Sequence, residues 1–373
     1  MNNLNLVVES PGRINLIGEH VDYNGGFVLP AAIDKKIILS FKKNDSSKCN
    51  ISTLKYNKSF QLDLSHPINR SDVHWENYII GVIKNIMNLK PGKLQGFDCV
   101  IESNLPVGAG ISSSSALICG IAKGVNELYN LDLSNDDLIF LAKDVEHNFI
   151  GLKGGIMDQF TICKAKKNKL LLLNCTSLDY RYIDANFYPY KILLLNSNVP
   201  HKLSDSEYNT RVKECNNAFD VISKKYSKYN FLAEIPEKII YEFKDELNDK
   251  VYSRALYVSQ ENQRTIKSAE LISKGLYSDF GRLMYDSHEG LKNLYEVSCD
   301  ELDFMVDFSK EHNEIIGSRL MGGGFGGCTI NLILESFVDE YINKISDEYY
   351  KKYSINLEPI VGSISDGICV VQF

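Results

Sequence analysis

No run of apolar residues in this chain approaches the length that a membrane-spanning helix needs; Lys, Asn or Asp interrupts each one. The first ten residues, MNNLNLVVES, lack both the cationic start and the apolar stretch of a secretory signal. Cysteine is thin and scattered, with nine residues, no Cys-x-x-Cys pair and no dense framework. That excludes a disulfide scaffold and the common zinc spacings. It leaves free thiols in a reducing compartment, most of them packed as small hydrophobes. A basic excess is missing too: the formal net charge of −7 argues against a general binder of nucleic acid or anionic membrane. Internal repeats, low-complexity tracts and a Gly-Lys-Ser/Thr phosphate loop are also absent. The expectation is a soluble cytoplasmic protein without zinc or disulfides and without nucleic-acid or membrane partners, monomeric or weakly self-associating.

What is present is a chain of 373 residues, 44% hydrophobic, which is enough for two domains. Ile37 to Phe41 reads as a strand and polar Lys42 to Asn50 as a loop. A helix opens at Trp75 and runs to Leu89, where Lys90-Pro91-Gly92 stops it. A strand over Gly96 to Ile101 leads through a Gly/Ser loop into a helix from Ser113 to Tyr129. Ser134 and Asp137 form a capping box for the next helix, with Leu138, Leu141 and Val145 on its apolar side. Lys169 to Leu173 and Lys191 to Asn196 read as buried strands, and charged helices fill Ser206 to His312. Met321 to Ile333 is a glycine loop feeding a strand, and Phe337 to Tyr349 a further helix. Hairpins mixed with helices favour an α+β fold, divided into residues 1–185 and 186–373.

Several segments carry candidate chemistry. The first is Pro11-Gly12-Arg13-Ile14-Asn15-Leu16-Ile17-Gly18-Glu19-His20-Val21-Asp22-Tyr23-Asn24-Gly25-Gly26. Two carboxylates and an imidazole on a glycine-bounded turn suit several hydroxyls of one small ligand, and Arg13 adds a cation for phosphate or carboxylate. The second, Leu105-Pro106-Val107-Gly108-Ala109-Gly110-Ile111-Ser112-Ser113-Ser114-Ser115-Ala116, places amides, hydroxyls and a helix N-terminus where an anion can bind. The third joins Glu146 to Gly154-Gly155-Ile156-Met157-Asp158-Gln159-Phe160. Glu146 with one serine would make a hard-oxygen site suited to Mg²⁺, and Asp158 is a candidate base or substrate orienter. The fourth, Met321-Gly322-Gly323-Gly324-Phe325-Gly326-Gly327-Cys328, contains Gly-x-Gly-x-x-Gly, but a strand rather than a helix follows, so a dinucleotide fold is a poor reading. A further segment, His201 to Arg211, offers the Tyr208 hydroxyl to a ligand.

In this order the segments resemble the galactokinases of the GHMP small-molecule kinase superfamily. PGRINLIGEHVDYNGGFVLP is similar to their sugar loop, LPVGAGISSSSAL and MGGGFGGCTI to the superfamily's nucleotide and glycine motifs, and GGIMDQF and SEYNTRVKEC again to galactokinases. The resemblance implies a two-domain GHMP kinase, with an N-terminal domain like domain 2 of ribosomal protein S5 and a ferredoxin-like C-terminal domain. It implies ATP-dependent phosphorylation of α-D-galactose at its anomeric hydroxyl, with Mg²⁺. Asp158 would take or orient the anomeric proton and Arg13 would stabilise the transferred charge. Glu19, His20, Val21, Asp22, Gly155 and Tyr208 would surround the sugar. Gly108, Ala109, Gly110, Ile111, Ser112, Ser113 and Ser114 would hold ATP, and Ser114 with Glu146 the metal. Gly154, where galactokinases usually carry Cys or Ser, and Val21, where they carry Thr, resemble the N-acetylgalactosamine kinases instead. A kinase for N-acetylgalactosamine or galactosamine, or a galactose sensor without turnover, therefore stays open as an alternative.

Overall fold

The computed structural model describes residues 6–106, 108–199 and 204–372. Val107 of the serine loop and residues 201–203, ahead of Tyr208, lie outside the described residues. Strands β1 (Leu6–Asn15), β2 (Phe27–Val28) and β3 (Pro30–Lys43) come first, followed by the hairpin β4 (Lys48–Thr53) and β5 (Lys58–Asp63). After helix α1 (His74–Leu89), strand β6 (Phe97–Ser103) leads into α2 (Ser113–Tyr129), α3 (Asn135–Asp144) and α4 (Met157–Lys164). Strands β7 (Lys169–Asn174), β8 (Tyr180–Asp184) and β9 (Tyr190–Asn196) precede a helical stretch. That stretch comprises α5 (Ser204–Lys225), α6 (Glu237–Ile240), α7 (Asp249–Ser273), α8 (Tyr277–Asn293) and α9 (Asp300–Lys310). Strands β10 (Ile315–Met321) and β11 (Cys328–Leu334), helix α10 (Val338–Tyr353), then β12 (Glu358–Gly362) and β13 (Cys369–Gln372) complete the chain.

Three sheets result, ordered β13-β1-β3-β6-β4-β5, β10-β11-β9-β12 and β2-β7-β8. The first is antiparallel except where β4 runs parallel to β6. Helix α2 crosses β1 and β3 so closely that a Cβ at Gly120 would press on Leu39 and Ser10. The Ser10 hydroxyl caps that contact by donating to the Ala116 carbonyl at 2.7 Å. Together these elements make the α+β architecture expected of a GHMP kinase.

Helix α2 occupies the expected span, and the capping box at Ser134 and Asp137 has both of its bonds in place. Other segments differ from the sequence expectation. Of the polar stretch after Phe41 only Asn44 to Ser47 is a loop, since Lys42 and Lys43 stay paired with Asp98 and Phe97 of β6 and Lys48 opens β4. Strand β10 is buried although Gly317, Ser318 and Arg319 break its apolar pattern. The glycine motif lies between two antiparallel strands, which rules out the Gly-x-Gly-x-x-Gly dinucleotide geometry. The end of the chain also returns: β13 pairs with β1 from Leu6↔Gln372 to Glu9↔Cys369, so the last residues complete the first sheet.

Candidate active site

Apart from the serine loop, the sequence segments converge on one cavity of about 220 Å³. Arg13, Glu19, His20 and Asp22 form one side, Gly154, Gly155 and Asp158 a second, and Tyr208 with Gly322 to Phe325 the third. Strand β1 delivers Arg13 from its buried end, and the turn after β1 carries the sugar-loop carboxylates. Gly155 is required here for space, since a Cβ on it would run into the Asp22 carboxylate. Gly110 and Gly322, both at positive φ, let the serine loop and the glycine loop touch backbone to backbone.

Asp158 stands at the first turn of α4 and is gripped on both oxygens. Arg13 Nε donates to Oδ1 at 2.6 Å, and the Ser112 hydroxyl donates to Oδ2 at 2.5 Å. Arg13 also donates through Nη1 to the Gly110 carbonyl at 2.6 Å, and its own amide donates to Ile111 O. Burial works against the Arg13 charge, but Asp158, Glu19 and Asp22 outweigh it and the guanidinium binds its proton more firmly than usual. Serine loop, cation and candidate base are therefore one hydrogen-bonded unit.

The other acidic groups are less comfortable. Burial, with the nearby Asp158 charge second, pushes the Asp22 carboxyl up to about 7. Glu146, on a wide helical turn after α3, is likewise pushed to about 7 by burial and then by Asp158. Its two oxygens accept from the Ser115 hydroxyl and the Gln159 amide, each at 2.5 Å. Burial lowers His20 to about 3, so its ring is neutral at ordinary pH. Its Nε2 faces the Gly323 carbonyl at 3.2 Å, which can only accept, so Nε2 carries the hydrogen. Nδ1 then accepts from the Tyr23 hydroxyl at 2.7 Å, and Tyr23 in turn accepts from Tyr295 at 2.8 Å. His20 thus spends both ring nitrogens on tying the sugar loop to the glycine loop. Tyr208 packs on the rings of His20 and Tyr23, and burial raises its phenol well above the usual range.

A second cavity, of about 510 Å³, lies beside the serine loop. Its walls are largely apolar, from Ile37, Trp75, Tyr78, Ile101, Leu105 and Leu117, joined by Ser113 and Ser114, Lys55 of the β4–β5 turn and Lys58 at the start of β5. The serine loop therefore separates the two cavities. Ser112 faces Asp158 and Ser113 and Ser114 face the apolar groove, while the hydroxyl on Glu146 is that of Ser115 rather than Ser114. Ala109 and Ile111 are buried, and Gly108 has open space where a Cβ would stand. Val21 is not part of the cavity wall: its side chain is fully buried, and its carbonyl closes the turn by accepting from Asn24 and Gly26.

Comparison with known proteins shows the family. The galactokinase galactose-binding signature matches residues 2–43, the GHMP kinases N terminal domain residues 77–166, and the GHMP kinases C terminal model residues 268–351. A galactokinase of Thermosipho africanus is 38% identical over 365 residues, covering 98% of this chain and 99% of that one. The chain belongs to the galactokinases. A family member from Clostridium beijerinckii is 36% identical over 361 residues, covering 96% of this chain and 92% of its own length. The structure of Lactococcus lactis galactokinase complexed with galactose superposes with a TM-score of 0.93 at 29% identity, covering 98% of this chain and 95% of that one. Methanococcus jannaschii mevalonate kinase, at 24% identity and a TM-score of 0.67, shares the fold. As a galactokinase relative the protein is a phosphotransferase with an alcohol acceptor, and its kinase relatives imply ATP use.

Sequence reasoning missed the residues that hold this family's sugar loop in place. Helix α7 presents a buried polar face to it: Tyr257 donates to Glu19 O at 3.1 Å, Glu261 accepts from Gly18 N at 2.9 Å, and Asn262 accepts from Phe27 N at 2.8 Å. The only signal available was polar residues at helical spacing on an otherwise apolar face, and that pattern does not name its partner. Arg319 and Tyr295 were missed as well, and so was Arg211, which donates from Nε to Tyr295 O and from Nη2 to Glu296 O, each at 2.8 Å. Among the described residues no cluster of three or more His, Cys, Asp or Glu is placed to hold a metal, and no helix is long and apolar enough to cross a membrane.

Proposed function

We propose that the protein transfers the γ-phosphoryl group of ATP to the anomeric hydroxyl of α-D-galactose. The observation that carries this reading is the position of Asp158. It lines the sugar-sized cavity and is bonded to Arg13 and to the serine loop that borders the apolar groove. A sugar hydroxyl in the cavity can donate to the Asp158 carboxylate, which orients or takes its proton. Arg13, already fixed by Asp158 and Gly110 O, keeps a cation where charge develops during transfer. Phosphoryl transfer depends mainly on such positioning and electrostatic stabilisation. Glu19, Asp22 and Tyr208 are the groups for the remaining hydroxyls, and the adenine ring suits the groove beside Trp75 and Tyr78.

The residues around Glu146 fit a Mg²⁺ ion. A carboxyl pushed toward neutrality by burial, and then by the Asp158 charge, gains from a divalent cation, and Gln159 Oε1 is buried without a partner among the described residues. Glu146 and the serine loop, with Ser114 facing the groove and Ser115 on the carboxylate, supply hard oxygens of the kind Mg²⁺ prefers. Bound there, the ion would neutralise charge on the nucleotide phosphates.

Galactosamine and N-acetylgalactosamine remain the competing acceptors because Gly154 leaves room: an added Cβ would meet only the Tyr208 hydroxyl, at 3.7 Å. Coupled ADP release with Mg·ATP and a panel of galactose, glucose, galactosamine, N-acetylgalactosamine and arabinose tests the reading. Galactose is expected to turn over best. Preference for an amino sugar would move the substrate, and binding without turnover of any sugar would make the protein a sensor.

A further inference from the structure

Arg319 is a fully buried arginine on β10, in the second half of the chain, yet most of its bonds reach the first half. It donates from Nε to Leu16 O at 2.8 Å and from Nη2 to Asn15 O at 2.5 Å. The same Nη2 lies 3.1 Å from Glu19 Oε1, and Nη1 meets Leu320 O at 2.6 Å. Glu19 Oε1 also accepts from Gly322 N at 2.9 Å, and among the described residues Oε2 has no protein donor. Asn15 ends the strand that carries Arg13, so one guanidinium holds the strand end, the following turn and a carboxylate lining the cavity.

Stability alone does not call for a charge here. Burying a guanidinium carries a large desolvation penalty, and an apolar side chain of similar volume in such a place is often neutral or stabilising. An apolar residue could not aim a carboxylate, however. We propose that Arg319 is a positioning residue for sugar recognition, fixing Glu19 by one oxygen so that the other meets a sugar hydroxyl. The proposal rests on the reading that Glu19 holds the sugar. Fixing one oxygen through two donors from β10 and the glycine loop leaves the carboxylate no freedom to rotate. The hydroxyl it meets is then chosen by the assembled structure rather than by the sugar loop alone.

The test compares R319Q, R319K, E19Q and E19Q/R319Q for kcat, for KM of galactose and of Mg·ATP, and for discrimination among the monodeoxygalactoses. E19Q identifies the deoxy sugar whose missing hydroxyl Glu19 serves. R319Q is expected to raise galactose KM about tenfold and to lose discrimination against that same deoxy sugar, with the ATP KM within about twofold. The double variant is expected to be no worse than E19Q, and R319K to recover part of the loss. Additive losses, an equal rise in ATP KM or loss of discrimination at every hydroxyl would overturn the proposal. So would failure of both Arg319 variants to fold, which would confine the residue to folding. An E19Q variant with unchanged galactose KM would instead refute the reading of Glu19 as a sugar ligand.

Discussion

The sugar cavity and the apolar groove are built in opposite ways. The cavity takes its walls from both halves of the chain, and two of its carboxylates are bonded before any ligand arrives: Asp158 to Arg13 and Ser112, Glu19 to Arg319 and Gly322. The groove is lined from the first half alone, by aliphatic and aromatic side chains with exposed lysines at the β4–β5 hairpin. Fixed charges select among similar hydroxyls only if they cannot move, which demands support from several elements. An apolar slot for a flat ring needs no such support.

If this contrast holds, damage to the cavity should fall on sugar handling and turnover, and damage to the groove on ATP. The largest effect is expected from Arg13→Ala, which removes a cation from the point of transfer and a partner from Asp158. Steady-state kcat should fall at least about 10²-fold, and the melting temperature should drop as well because the Asp158 carboxylate loses its ion pair. Glu146→Gln comes next. It should raise the Mg²⁺ concentration needed for half-maximal rate by about tenfold or more, read from Mg²⁺ titrations at saturating ATP and sugar. Gly155→Ala, by pushing Asp22 aside, should raise galactose KM about tenfold with the ATP KM unchanged. Trp75→Ala should do the reverse, raising ATP KM several-fold and sparing galactose. An equal rise in both constants for either variant would dissolve the distinction between the two cavities.

The smallest effect is in pH. Asp22 and Glu146 are both pushed to about 7 in the folded protein, from ordinary values of 3.8 and 4.5. Below about pH 7 Asp22 takes up a proton and loses the charge that, on the proposed function, a sugar hydroxyl would meet, so kcat/KM for galactose should fall on the acid side. Stability runs the other way. A carboxyl that holds its proton more tightly when folded stabilises the fold most below its unfolded value, and that contribution is lost as pH rises from about 4 through about 7. Without ligands, thermal unfolding should therefore show these two groups favouring pH 5 over pH 8. His20 contributes with the opposite sign, since its lowered value costs stability as pH falls below 6.5 toward about 3.

What the sequence revealed follows the same division. Local signals were legible: the helix after the serine loop, the capping box at Ser134 and the carboxylates of the sugar loop each announce themselves within a few residues. Supports that act across the chain were not. Arg319 sits in a short strand whose glycine and serine hide its β character, and its partners lie about three hundred positions away. Glu261 and Tyr257 look like ordinary helix residues until α7 is seen against Gly18 and Glu19. The groove was not legible, because apolar residues from separate strands and helices carry no motif that distinguishes a slot from a core. The Ser115 bond to Glu146 turns on which way consecutive serines face as α2 begins, and spacing alone does not fix that.

The most direct test of the account is a paired measurement on Asp158→Asn: galactose binding by calorimetry and sugar-dependent ADP release. The substitution keeps the shape of the side chain and removes its charge. The account predicts galactose affinity within a few-fold of the unmodified protein and turnover lower by about 10²-fold or more. Turnover near the original rate in the folded variant would contradict the placement of the transfer chemistry at Asp158.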